Sequence, residues 1–103
     1  MTIWKYPVLA GGVFVHTMPT GAMVLCAKVQ GTAGLPQMWV LVDPERTPVR
    51  RVFRVVGTGH DIDSAEADRL AYVDTFMLED GNLVFHLFER HEESQSRRVG
   101  EEP

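Results

Sequence analysis

The sequence predicts a mainly β fold: a small antiparallel sandwich or partly open barrel of six to seven strands with one short helix. Three observations carry this. Apolar and polar residues alternate with period two in several separate segments, the pattern of half-buried strands. Turn-forming residues fall between those segments, among them Pro19-Thr20-Gly21, Asp43-Pro44, Gly57-Thr58-Gly59 and Asp80-Gly81. The chain has 103 residues, 45% hydrophobic and 23% charged, which suits one soluble domain with one modest core.

Taken in order, two short strands are expected near residues 3–6 and 13–18. The next spans 22–30, where Met23, Leu25, Ala27 and Val29 would share one face and Val24, Cys26, Lys28 and Gln30 the other. A strand over 37–43 is apolar on both faces, so it should be central and covered on both sides. Asp43-Pro44 stops it, because proline cannot donate to a ladder. The strand over 49–56 sets Arg51, Phe53 and Val55 against Arg50, Val52, Arg54 and Val56, a mixture that suggests a half-covered face. Residues 63–70 are the helix candidate, of about two turns. There Asp63 followed three positions later by Glu66 resembles a capping box. Two closing strands, 71–78 and 82–90, flank Asp80-Gly81, a strong hairpin signal. Tyr72, Asp74, Phe76 and Leu78 would share a face in the first. In the second, Leu83, Phe85 and Leu87 oppose Val84, His86 and Phe88. The domain thus runs over 1–91, and 92–103 reads as a polar, disordered tail. The aromatics Trp4, Trp39, Phe53, Tyr72, Phe76, Phe85 and Phe88 are assigned to the core.

Composition narrows the function classes. A single cysteine, Cys26, excludes an intrachain disulfide and a zinc site of paired thiolates, and fits a reducing compartment. The longest apolar run, 7–15, contains Gly11 and Gly12 and is far too short for a bilayer. A cytoplasmic protein without a membrane partner is expected. Ten basic against 14 acidic residues give a net charge of −4, opposite to the usual balance of a nucleic-acid binder.

One candidate binding set stands out: Arg51, Arg54, Gly57, Thr58, Gly59 and His60. The glycines would let backbone amides turn toward an anion, Thr58 offers a hydroxyl, and the arginines offer charge-assisted bonds to phosphate. Neither the phosphate-loop ending Gly-Lys-Ser/Thr nor the dinucleotide fingerprint is present. The plainer reading is a strand-to-helix turn with a polar tip, and an arginine segment paired with the acids Asp61, Asp63, Glu66 and Asp68. Weaker constellations are His60, Asp61 and Asp63 around a metal, and Cys26 with His86 as a catalytic pair. No catalytic residue, metal ligand or cofactor is assigned.

The segments Ile3-Trp4-Lys5-Tyr6, Pro19-Thr20-Gly21-Ala22, Trp39-Val40-Leu41-Val42-Asp43-Pro44, Phe53-Arg54-Val55-Val56-Gly57-Thr58-Gly59-His60, Tyr72 with Thr75-Phe76, and Gly81-Asn82-Leu83-Val84-Phe85-His86-Leu87-Phe88-Glu89 together resemble a family of small proteins encoded mainly by tailed bacteriophages and prophages. That family carries no assigned function. The resemblance spans residues 3–89 and departs at two places: Asp61 follows His60 where a proline is common, and Asp74 replaces a glycine. It implies an accessory phage product in the host cytoplasm that binds and inhibits or sequesters a host factor, in host takeover or anti-defence. An oligomeric sponge for a nucleotide signal, using the arginine strand and the Gly-Thr-Gly-His loop, is the alternative. A virion decoration protein and a small enzyme using His60, His86 and Asp61 are further ones. The expected partner is therefore a host protein or a small anionic ligand such as a nucleotide, with homo-oligomerisation possible.

Overall fold

Alternation along the chain becomes seven strands among the described residues, all paired antiparallel. The computed structural model describes residues 1–9, 12–31, 34–79 and 81–92. In chain order these hold β1 (Thr2–Pro7), β2 (Val13–Pro19), β3 (Met23–Val29), β4 (Pro36–Val42), β5 (Pro48–Gly57), the helix α1 (Ser64–Ala67), β6 (Leu70–Leu78) and β7 (Leu83–Arg90). Each strand falls within one residue of its expected ends. Two open sheets result, one ordered β1-β4-β3 and the other β2-β5-β7-β6. They stay separate, so the sandwich is the expected alternative that forms. The polar tail expected over 92–103 lies outside the described residues apart from Glu92. No helix among the described residues is long and apolar enough to cross a membrane.

The core lies between the inner faces of the two sheets. Met38, Val40 and Val42 of β4 are fully enclosed, as are Met18 of β2, Ala27 of β3, Phe53 of β5 and Leu87 of β7. Phe14 of β2 stacks on Phe53 with ring centroids 5.4 Å apart. Burying such side chains contributes about 1.5–3 kcal/mol each against leaving them in water.

Two β-bulges alter the expected faces. In β3 the register shifts between Val24, paired with Val40, and Cys26, paired with Trp39. Leu25 is the extra residue, so Val24 points inward with Ala27 and Val29, while Met23, Leu25 and Cys26 lie outside. In β6 the shift falls between Tyr72 and Asp74, with Val73 inserted. Tyr72 is therefore on the outer face against Phe88, and Asp74 is on the inner face against Leu87. Unbroken alternation had grouped Tyr72 with Asp74 and Met23 with Ala27. One inserted residue reverses the sides of everything beyond it.

β4 is central in its sheet, but it is not covered on both sides. Trp39 and Leu41 share an outer face on which no other described element packs. Tyr72 and Phe88 also leave the expected aromatic core for the outer face of the other sheet, and Trp4 keeps 41% of its surface exposed. The helix is one turn rather than two. Asp63 caps it by accepting the Glu66 N–H, but Leu70 is already paired with Arg90 in β6. The β6–β7 hairpin forms where expected, through residues 79–82, with positive φ at Glu79 and Gly81; Asp80 lies outside the described residues.

Candidate functional site

The two sheets are joined along both edges by polar contacts. On one side Asp74 of β6 accepts the N–H of Ala27 through Oδ2 at 2.9 Å and that of Thr75 through Oδ1 at 2.8 Å. Lys28 adds a contact at 3.2 Å. Burial opposes ionisation here, yet the two N–H donors and Lys28 outweigh it and hold the carboxyl below its ordinary range. On the other side the His16 ring donates from Nε2 to the Pro7 carbonyl at 2.7 Å and tilts against Tyr6. Partial burial raises the Tyr6 phenol, and the nearby Arg51 charge only partly offsets this.

The expected binding set is divided between separate places. Arg51 and Arg54 are three residues apart in a strand, so they face opposite sides of the sheet. Arg51 points inward. It pairs with Glu89 through Nε and Nη2 and donates from Nη1 to the Ala22 carbonyl at 3.0 Å. Hydrogen bonding to Glu89 raises its pKa further, so it stays charged. Arg54 lies on the outer face, where Nε donates to Glu66 at 3.0 Å and Nη1 to its neighbour's carbonyl. The same Glu66 oxygen accepts from Arg90 at 3.1 Å. One carboxylate thereby fastens the helix to β5 and β7, and these bonds hold Glu66 below its ordinary range against the effect of burial. Both guanidinium groups are already neutralised by carboxylates.

Gly57-Thr58-Gly59-His60 is a β-turn. The His60 N–H bonds the Gly57 carbonyl at 3.1 Å, and Gly59 at the third position has φ of +88°. Only a residue without Cβ takes that conformation freely, which explains the second glycine. The Thr58 N–H is spent on the Val84 carbonyl. Two of the amides expected to face an anion are thus used inside the fold. Thr58 Oγ1 meets His86 Nε2 at 2.7 Å, and His86 Nδ1 meets Thr75 Oγ1 at 3.0 Å, all on the outer face. Cys26 and His86 sit on the outer faces of different sheets, so they form no pair. Among the described residues, no three His, Cys, Asp or Glu side chains converge as metal ligands.

Two concavities among the described residues bear on binding. One, of about 400 Å³, has the Arg51–Glu89 pair in its wall with Ala22, Met23 and Tyr72. The other, also about 400 Å³, is mostly apolar and opens at the end of the sandwich where the Gly57 turn sits. Val55, Phe76, Leu78 and Phe85 line it from within, and Leu9 and Leu35 stand at it with 44% and 71% of their surfaces exposed. His60 packs against Gly57, its ring 3.0 Å from where a Cβ would stand, and brings the one ionisable group among the described lining residues. This end of the molecule is the candidate binding site.

A family model for a domain of unknown function, DUF7352, matches residues 1–98. The chain belongs to the DUF7352 family. No curated protein and no solved structure matches it. Of the expected site residues in this DUF7352 protein, Gly57 and His60 line the apolar pocket, and Arg51, Arg54 and Thr58 serve other contacts. The pocket itself had no local signature, because its lining comes from strands and loops far apart in the chain.

Proposed function

We propose that the protein is a small non-enzymatic accessory protein of phage origin that binds, and inhibits or sequesters, a host factor in the host-cell cytoplasm. The observation that supports this reading is the apolar pocket at the end of the sandwich. Exposed leucines beside an apolar recess suit a protruding apolar side chain of a protein partner. The alternative of a nucleotide sponge has weaker support, since Arg51 and Arg54 face apart and each already holds a carboxylate.

The test is a quantitative pull-down from host lysate with the parent, a Leu35→Glu variant and a Thr17→Glu control on the exposed side of β2. A stoichiometric partner kept by the parent and the control, and lost from Leu35→Glu, is the expected result. No stoichiometric partner, or one retained equally by all three, overturns the proposal.

A further inference from the structure

The outer face of the three-stranded sheet is an apolar surface with no described element against it. Register places Ile3, Leu41 and Met23 side by side in one row across β1, β4 and β3. The neighbouring row holds Lys5, Trp39 and Cys26, and the bulge adds Leu25. Ile3, Met23 and Leu25 are 54%, 58% and 44% exposed. The other sheet differs, because its outer face carries the docked helix through Glu66. A contiguous set of exposed apolar side chains on one sheet face is a candidate interaction surface.

Charge on this face indicates the occupant. Lys5 stands beside Trp39 at one end, its Nζ donating to the neutral Gln30 at 2.7 Å. Asp43 stands one residue past the end of β4, two positions beyond Leu41 at the other end, where its Oδ1 accepts the Glu45 N–H at 3.1 Å. Neither has an oppositely charged partner among the ion pairs of the described residues. The two charges lie roughly 13 Å apart along the strand direction, with the Ile3–Leu41–Met23 row midway between them.

We infer that this face is a self-complementary interface between two copies of the chain. A two-fold axis between the facing sheets, running across the strands along the Ile3–Leu41–Met23 row, reverses strand direction. It stacks that apolar row on itself and brings each Lys5 beside the partner's Asp43, once at either end. The other face-to-face arrangement, with the axis along the strands, gathers like charges at the same end. The footprint, roughly 14 Å by 20 Å on each copy, is small for a specific interface, so association is weak and concentration-dependent.

The test is sedimentation velocity on the full chain over a concentration series reaching the low millimolar range. The parent is expected to pass from monomer to dimer. Met23→Glu sets two carboxylates against each other at the axis, and should raise the dissociation constant roughly a hundredfold because each substitution counts twice. Lys5→Glu and Asp43→Lys should each weaken the dimer, and the double charge swap should restore it. Circular dichroism and urea midpoints confirm that each monomer is folded. A parent that stays monomeric throughout overturns the proposal. So does a dimer that survives Met23→Glu, or charge-swap effects that merely add.

Discussion

Replacing Asp74 by Asn tests what joins the two sheets along the β3–β6 edge. The two carboxylate oxygens accept different backbone N–H groups, those of Ala27 and Thr75. An amide of the same shape has one oxygen, so one N–H must face its NH2 group. A hydrogen bond to a charged acceptor contributes about 1.5–3 kcal/mol. The lower part of that range applies here, because 19% of the Asp74 side chain remains open to solvent. Asp74→Asn should therefore cost about 2 kcal/mol, and Asp74→Ala, which loses both acceptors, about 3 kcal/mol. Lys28 is 56% exposed, so Lys28→Met should cost no more than about 1 kcal/mol. Urea unfolding followed by the fluorescence of Trp4 and Trp39 reads these differences, and thermal midpoints should fall by about 4–8 °C per kcal/mol. The reasoning is refuted if Asp74→Asn lies within about 0.5 kcal/mol of the parent, the usual spread of inert surface changes. It is equally refuted if Lys28→Met costs as much as Asp74→Asn, since the ion pair rather than the backbone donors would then hold the edge.

Acid should expose the same contacts. The folded-state pKa values of Asp74 and Glu66 are both lowered, so their contribution is complete above the unfolded values of 3.8 and 4.5 and is lost as pH falls through the folded ones. Urea midpoints should fall below about pH 4 in the parent, and fall less in an Asp74→Asn, Glu66→Gln double variant. At neutral pH, Glu66→Gln leaves Arg54 and Arg90 without their shared anion, and limited proteolysis should cut faster within 61–69 while the sheets remain intact. Gly59→Ala has open space but an unfavourable φ, so it should cost about 1 kcal/mol in urea unfolding with no change in near-ultraviolet circular dichroism. Phe53→Ala removes the most enclosed ring and should cost about 3–5 kcal/mol, a large share of a total of about 5–15 kcal/mol, so its urea midpoint should fall the furthest of these variants.

Strand positions were legible because each strand carries its own alternation and its own stop. Proline after Asp43, the two glycines after Val56 and Asp80-Gly81 act within a few residues of where they stand. Bulges are different. Nothing in Val24-Leu25-Cys26 or Tyr72-Val73-Asp74 marks the inserted residue, because its position is set by how two strand edges meet. The same applies to the candidate site. The turn glycines were readable, but Arg51 meets Glu89 across 38 positions and Arg54 meets Glu66 across 12. Alternation already set Arg51 and Arg54 on opposite faces of the strand; what it did not show is the carboxylate that each of them meets.

The sheet orders also bear on how the chain is made. β1 has its neighbour in β4, and β2 has its neighbour in β5, so neither pairs with the strand next to it in sequence. A nascent chain leaving the ribosome therefore carries Thr2–Pro7 and Val13–Pro19 as unpaired strands until Pro36–Val42 and Pro48–Gly57 have emerged. The first half of the protein is thus the interval in which its apolar strands, Met23 and Leu25 among them, meet other chains before they meet their own.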